Sequence, residues 1–346
     1  MQRCIEIAGH GAGRVAPNPM VGCVIVHQNT IIGEGYHIEC GYSHAEVNAI
    51  KSVKNPELLK RSTLYVSLEP CAHHGRTPPC SDLILEKKIA HVVIGTVDPF
   101  AAVSGNGIKK LLAGGVLVET GVLLDECRWL NRRFFTFHEK KRPYIILKWA
   151  QTIDGYIDLE RKSGQPAEPV WITGTLARTM VHKTRSEEAA ILIGTNTVLK
   201  DNPSLTTRDW SGRSPVRLVI DRYNKLPHHL KVFDGNALTI VFTEKPGIPA
   251  PEIQYCQIDF QKNLPRQILS ELYNLELSSV IIEGGAYTLQ QFIDTELWDE
   301  AHIYSGNQMF FGGTKAPRIA GVPAETLQLD NSLLSILINS ALNYKL

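Results

Sequence analysis

No stretch of this 346-residue sequence is apolar for long enough to span a bilayer, and its start, Met1-Gln2-Arg3-Cys4-Ile5-Glu6, lacks the apolar segment of a secretory signal. No membrane partner is expected, and the cytoplasm is the expected location. Lys and Arg are nowhere dense beyond Lys140-Lys141-Arg142, and the net charge is +1, so the electrostatic footprint of a nucleic-acid ligand is missing and a small-molecule substrate is favoured. The seven cysteines, at 4, 23, 40, 71, 80, 127 and 256, are odd in number and scattered; they make no disulfide framework and suit a reducing compartment. No Gly-x-Gly-x-x-Gly follows a predicted strand, so a dinucleotide site of the Rossmann type is not supported. The length, with 43% hydrophobic and 21% charged residues, accommodates two domains that each bury a core.

Against these absences stands one stretch, His44 to Cys80. It holds His44-Ala45-Glu46, then Pro70-Cys71, eight further residues and Cys80. One imidazole, two thiols and a nearby carboxylate that is not itself a ligand make a catalytic zinc set with an open fourth position. Nucleobase deamination uses that inventory: the metal makes water acidic enough to attack at neutral pH, and the glutamate shuttles protons. The general signature ends in P-C-x-x-C, whereas eight residues separate the cysteines here. Ser43 is the expected N-cap of a helix with Glu46 at its third position, and a second helix is expected to start just after Cys80, so that two positive helix ends face the metal. The remaining cysteines read as packing residues. His73 and His74, in the loop between the thiols, are candidates for substrate contact, and Arg76 for an anionic group. Asn18, held between Pro17 and Pro19, is either a turn residue or a reader of a pyrimidine edge. A zinc-stabilised binding module without turnover is the main non-enzymatic reading; Glu46 speaks against it, because a structural site needs a fourth ligand and no acid.

The pattern around this stretch is strand-helix alternation: a helix over 2–13, strands over 21–27, 31–37, 63–67, 91–96 and 116–119, and helices over 44–54, 81–88, 107–113 and 122–137. A charged hinge, His138-Glu139-Lys140-Lys141-Arg142-Pro143, separates this half from a restart at the strand 144–149. The second half carries strands near 189–194, 217–221, 238–243 and 279–283 and helices near 175–186, 265–275 and 287–294. Glu283-Gly284-Gly285 at a strand-to-helix turn either admits a phosphate to helix amides or serves tight packing.

Taken together, Pro17-Asn18-Pro19-Met20-Val21-Gly22, His44-Ala45-Glu46 and Glu69-Pro70-Cys71 with Pro78-Pro79-Cys80 resemble the bifunctional riboflavin-biosynthesis deaminase/reductase family, and the likeness extends over nearly the whole chain. The resemblance implies an α/β fold: a cytidine-deaminase-like three-layer domain over 1–141 and a dihydrofolate-reductase-like domain over 144–346. It implies deamination of 2,5-diamino-6-ribosylamino-4(3H)-pyrimidinone 5′-phosphate, then NADPH-dependent reduction of the ribosyl group to ribityl, in a homo-oligomer. His44, Cys71 and Cys80 would hold one zinc per chain, with Glu46 as proton donor. NADPH contacts are implied at Ala150, Trp171, Thr197, Asp201, Arg222 and the run Gly285, Ala286, Tyr287, Thr288, Leu289, Gln290 and Gln291. Substrate contacts are implied at Arg185, Leu205, Arg208 and Glu283, the two arginines suiting a ribose phosphate, while Arg222 suits the 2′-phosphate of the cofactor. The chain departs from the family pattern at Pro169, at Tyr304 to Gly313, where only Gly312-Gly313 is kept, and in an apolar tail, Asn331 to Leu346, expected as a closing strand or interface.

Overall fold

The structure, a computed structural model, describes residues 1–73, 78–100, 104–160 and 170–341; His74, Arg76 and Pro169 lie outside the described residues. The chain divides after Lys141 into two compact units.

The first unit runs α1 (Gln2–Ala8), β1 (Gly22–His27), β2 (Thr30–Tyr36), α2 (Ala45–Ser52), β3 (Thr63–Leu68), α3 (Cys80–Glu86), β4 (His91–Thr96), α4 (Asn106–Ala113), β5 (Leu117–Thr120), α5 (Leu124–Leu130) and α6 (Arg132–Lys140). Its sheet has the order β2-β1-β3-β4-β5, with β1 antiparallel to both neighbours and β3, β4 and β5 parallel. Alternation along β1 builds three layers: Cys23 and Ile25 enter the core shared with α2, α3 and α4, while Val24 packs against Cys4 and Ile7 of α1. Glycines set how closely α2 lies on the sheet. A side chain at Gly33 or Gly35 of β2 would run into the main chain of α2 at Ala49, so only glycine lets the helix start where it does.

Two expected helices differ. The one read over 2–13 ends at Ala8 and tightens into a 3₁₀ turn, Gly9–Gly11, because three glycines in five residues are poor helix formers. The one read over 122–137 breaks into α5 and α6 at Asn131, whose buried amide accepts from Met20 N and donates to Met20 O, both at 2.8 Å. That pair ties down the chain just after Asn18. The residues expected as a hinge remain helical as far as Lys140.

The second unit comprises β6 (Tyr144–Gln151), β7 (Tyr156–Asp158), α7 (Thr175–Glu187), β8 (Ala190–Gly194), α8 (Thr195–Asp201), β9 (Val216–Ile220), β10 (Thr239–Thr243), β11 (Ile253–Gln257), α9 (Leu264–Asn274), β12 (Ser279–Ile282), α10 (Ala286–Asp294), β13 (Glu300–Gly306), β14 (Thr314–Lys315), β15 (Val322–Leu329) and β16 (Ser332–Ile338). Nine strands form one sheet in the order β11-β10-β9-β8-β12-β6-β13-β16-β15, parallel from β11 to β13 and antiparallel at β16. One face packs on α9 and α10 through Ile268, Leu272, Leu289 and Phe292; the other covers Val198 of α8 and Ala177 of α7. The described part of the tail supplies β16, which lies between β13 and β15 and so is an interior strand. In a parallel sheet covered on both faces, ligands bind at the carboxyl ends of the strands. Gly194, Glu283, the turn after Gln151 and the segment after Gly306 all lie at that edge.

Candidate active sites

In the first unit the carboxyl end of β3 leads into Cys71, and the starts of α2 and α3 bring His44 and Cys80 to it. His44 Nδ1 lies 3.6 Å from Cys71 Sγ and 3.3 Å from Cys80 Sγ. The three ligand atoms fall within 4.8 Å of one another, the one such metal-binding group among the described residues. Tetrahedral zinc with ordinary bond lengths places nitrogen and sulfur ligands roughly 3.5 Å apart, so the donor set fits the ion by type and spacing. The expected caps are displaced by one residue. His44 itself is the N-cap of α2, Pro79 is the N-cap of α3, and Cys80 is the first residue of that helix. The Ser43 carbonyl is occupied by His37 Nδ1 and Asn48 Nδ2, at 3.1 and 3.3 Å. Glu46 therefore sits at the second helical position, where it is only 3% exposed.

The charges at this site are set by contact and burial. The hydrogen bond from Cys80, opposed by burial and aided by His44, pulls the Cys71 thiol well below its usual range, and Cys80, as the donor, is pushed up. One thiolate forms readily, as a metal ligand must. Burial, then the Cys71 charge, raises Glu46 to about 7, placing it where a group can both take and give a proton at neutral pH. His37, kept neutral chiefly by burial, bonds Ser43 O through Nδ1 and meets the Asn18 amide nitrogen at 3.2 Å through Nε2. Asn18 is thus held in a fixed orientation rather than left as a plain turn residue.

Glu69 has no role in the sequence reading beyond its place in the motif. It is buried, and its carboxylate accepts from the main chains of Asp98, Gly105, Gly107 and Ile108 at 2.9 to 3.3 Å, anchoring the start of α4 beside Pro70. A glutamate directly before Pro-Cys is the only sequence signal for it.

In the second unit a cleft of about 600 Å³ opens at the carboxyl edge. Six of the residues assigned to NADPH line it: Thr197, Arg222, Gly285, Tyr287, Thr288 and Gln291. The two glycines divide the alternatives left open for them. A side chain at Gly284 would strike Ile193, which is close packing, whereas Gly285 has φ 63° and opens α10 onto the cleft. Arg222 donates to Glu244 at 2.9 Å, and its buried Nε has no hydrogen-bond partner among the described residues. With Lys262, Thr195 and Thr197 also lining it, the cleft fits a polyanionic nucleotide. Other assigned residues lie elsewhere: Leu289 is wholly buried in the core, Gln290 bonds Asp294 and the Arg318 carbonyl, and Ala150 packs beside Tyr304. Ala286 begins α10 and Asp201 ends α8. Trp171 stands 58% exposed beneath Arg178.

The residues assigned to substrate surround a buried charge cluster. Arg185 is nearly buried and spends its fork on Glu283, at 2.8 and 3.3 Å. A buried guanidinium needs a counter-charge, and Glu283 supplies it. Leu205 is buried, with φ 57°, and Arg208 bonds Ser204 Oγ. Lys148, unassigned from sequence, lies 3.7 Å from Glu283 and 5.7 Å from the Tyr304 ring centre. Burial lowers its pKa, opposed by Glu283. Burial alone would raise Glu283, but Arg185 and then Lys148 outweigh it and hold the carboxyl at about 2. A lone lysine in the apolar strand Tyr144-Ile145-Ile146-Leu147-Lys148-Trp149 was the available signal.

Comparison with known proteins identifies both domain types. Residues 1–96 match the family model for the cytidine and deoxycytidylate deaminase zinc-binding region, and residues 143–335 match the RibD C-terminal domain. The riboflavin biosynthesis protein RibD of Aquifex aeolicus is 40% identical over 309 residues, covering 88% of this chain and 85% of that one. Its counterpart in Actinobacillus pleuropneumoniae is 37% identical over 331 residues, 93% of this chain and 86% of that one. The crystal structure of a diaminohydroxyphosphoribosylaminopyrimidine deaminase/5-amino-6-(5-phosphoribosylamino)uracil reductase from Thermotoga maritima superposes with a TM-score of 0.87 at 38% identity, covering 98% and 97% of the two chains. A deaminase-type donor set and a reductase-type cleft on one chain, at this identity over this length, mean that the chain belongs to the RibD family of riboflavin biosynthesis, bifunctional enzymes with a zinc-binding deaminase domain and an NADPH-using reductase domain.

Proposed function

We propose that residues 1–141 deaminate 2,5-diamino-6-ribosylamino-4(3H)-pyrimidinone 5′-phosphate and that residues 144–346 reduce the ribosyl group of the product to ribityl, in the cytoplasm. The observation that carries the first assignment is the convergence of His44, Cys71 and Cys80 beside a buried Glu46. His44, Cys71 and Cys80 would hold zinc, which supplies the Lewis acidity that makes water a nucleophile at neutral pH. Glu46 takes the proton of the attacking water and returns it to the amino group; a carbon–oxygen bond forms, the carbon–nitrogen bond breaks, and ammonia leaves. Asn18, oriented by His37, offers its amide to the pyrimidine edge.

In the second unit NADPH supplies the hydride. Thr197, Arg222 and the start of α10 would bind its phosphates. Lys148 and Glu283 sit at the ribose end, where Lys148, made easier to deprotonate by burial, can give a proton to the oxygen released as C1′ is reduced. Arg185 keeps Glu283 ionised and in place.

The test is a two-step assay on one preparation with zinc quantified: ammonia released from the diaminopyrimidine ribotide, then NADPH oxidised with the deaminated product. Both activities are expected. Ammonia release without zinc, or no NADPH oxidation by folded protein, would overturn the corresponding half.

A further inference from the structure

Two separate segments of the second unit meet at one carboxylate, and a third is tied to them next to it. Asp154, in the turn between β6 and β7, accepts from the main-chain N–H of Phe310 through both oxygens at 3.2 Å and from that of Phe311 at 2.8 Å. The buried Thr152 hydroxyl donates to it at 2.5 Å. The same turn receives a second tie, from Ile153 N to Gln308 O at 3.0 Å. Gln308 then reaches the third segment, its Nε2 donating to the Trp171 carbonyl at 2.8 Å. These bonds fix the main chains while leaving apolar side chains uncovered: Ile153 is 64% exposed and Phe311 85%. Phe311 also holds φ at 56°, a conformation that a bulky residue adopts only when its surroundings impose it.

The turn after β6 and the segment after β13 leave neighbouring parallel strands at the carboxyl edge, next to β12, which runs into Glu283. We propose that Asp154 is a positioning residue of the reductase. By joining the turn at 152–155 to the segment at 307–311, and through Gln308 to Trp171, it sets the carboxyl-edge rim beside Glu283, against which the part of NADPH beyond the phosphate cleft would lie. The inference rests on the assignment of the NADPH site made above. Asp154 touches no reacting atom; it acts through the main chain of Phe310 and Phe311 and through Trp171. Its two oxygens satisfy three donors, and an amide in its place would turn a donor toward N–H groups that need an acceptor.

The test uses the full chain carrying Asp154→Asn. NADPH binding is followed without turnover by the cofactor's own emission, and kcat, KM for NADPH, thermal melting and deamination are measured alongside. The NADPH dissociation constant and KM are expected to rise about tenfold, the scale of one lost charge-assisted contact. kcat should change less than about threefold and deamination should be unaltered. Asp154→Glu, which keeps the charge, should recover part of the loss. NADPH affinity within about twofold of wild type would overturn the proposal. So would a lowered melt in which kcat and affinity fall together and Asp154→Glu restores neither, because that pattern marks a merely structural residue. Wild-type protein that binds no NADPH would instead overturn the site assignment itself.

Discussion

The main-chain N–H of Cys80 donates to the sulfur of Cys71 across 3.3 Å, so the first residue of α3 supports one metal ligand with its backbone while offering another with its side chain. A second main-chain bond, Ser81 N to Cys71 O at 3.1 Å, locks the same pair. The eight-residue gap between the cysteines is closed by structure even though it breaks the shorter general spacing.

Cys80→Ser tests the ligand apart from the scaffold. Serine retains the main-chain donor to Cys71 and the helix start, but not the thiolate. Bound zinc should fall to a small fraction of one per chain, and deamination should drop by about two orders of magnitude or more with it. Metal analysis and ammonia release on the same sample measure this; full zinc with normal turnover would remove Cys80 from the ligand set.

Arg222→Gln tests cofactor choice. The guanidinium stands on the wall of the cleft, paired with Glu244 at 2.9 Å. It is the assigned partner of the phosphate that distinguishes NADPH from NADH. Its loss should weaken NADPH binding about tenfold or more and leave NADH nearly unchanged. Titrating each cofactor against the variant and following its emission decides the matter. Equal weakening of both would assign Arg222 to a part that the two cofactors share.

His182 gives a pH dependence whose sign is fixed by its surroundings. Burial first, then the charges of Arg185 and Arg208, lower its pKa to about 4, and its Nδ1 accepts the Arg208 main-chain N–H at 3.1 Å. As pH falls below the ordinary value of about 6.5, the unfolded chain takes up the proton while the folded one resists. Stability is therefore whole above about pH 6.5 and lost progressively down to about pH 4. The contribution is about 2 kcal/mol, discounted from the full shift because solvent screens the site beside the half-exposed Asp209. His182→Gln keeps a side-chain acceptor but does not titrate, so its melting temperature should decline less over that interval. Parallel curves for the two proteins would refute the assignment.

How much was legible followed from how local each signal is. The zinc set could be read because Glu46 follows His44 by two residues and both cysteines sit in proline-marked motifs. The parallel strands β6, β8, β9, β10 and β12 could be read because both their faces are buried, which produces continuous apolar runs. The two edge strands could not: residues 322–326 of β15 are exposed, and β11 alternates weakly, so neither stands out from loop. Helix α8 was hidden because Thr195-Asn196-Thr197 has poor helix propensity and tertiary packing of Val198 decides the outcome. Arg185 illustrates the limit for site residues. Its type suggested a phosphate ligand, but its partner Glu283 is 98 residues away in sequence, and only the fold brings a counter-charge to it.

The two chemistries should be separable at Glu46. Glu46→Gln retains nearly the same volume at the second position of α2 and leaves His44, Cys71 and Cys80 in place, so zinc content should not change. Burial and the neighbouring thiolate hold the carboxyl at about 7, ready to exchange protons; an amide can neither accept a proton from water nor return it to the departing amine. Deamination should fall by about 10²–10⁴-fold, the usual weight of general acid–base catalysis. Reduction of supplied deaminated substrate, which we assign to Lys148, Glu283 and the NADPH cleft, does not use that proton and should continue near the wild-type rate. The measurement is a pair of initial rates on one purified variant, with metal quantified and a melt recorded. Retained deamination would reduce Glu46 to a helix-start residue, and equal loss of both rates with native melting would show that the two sites act as one.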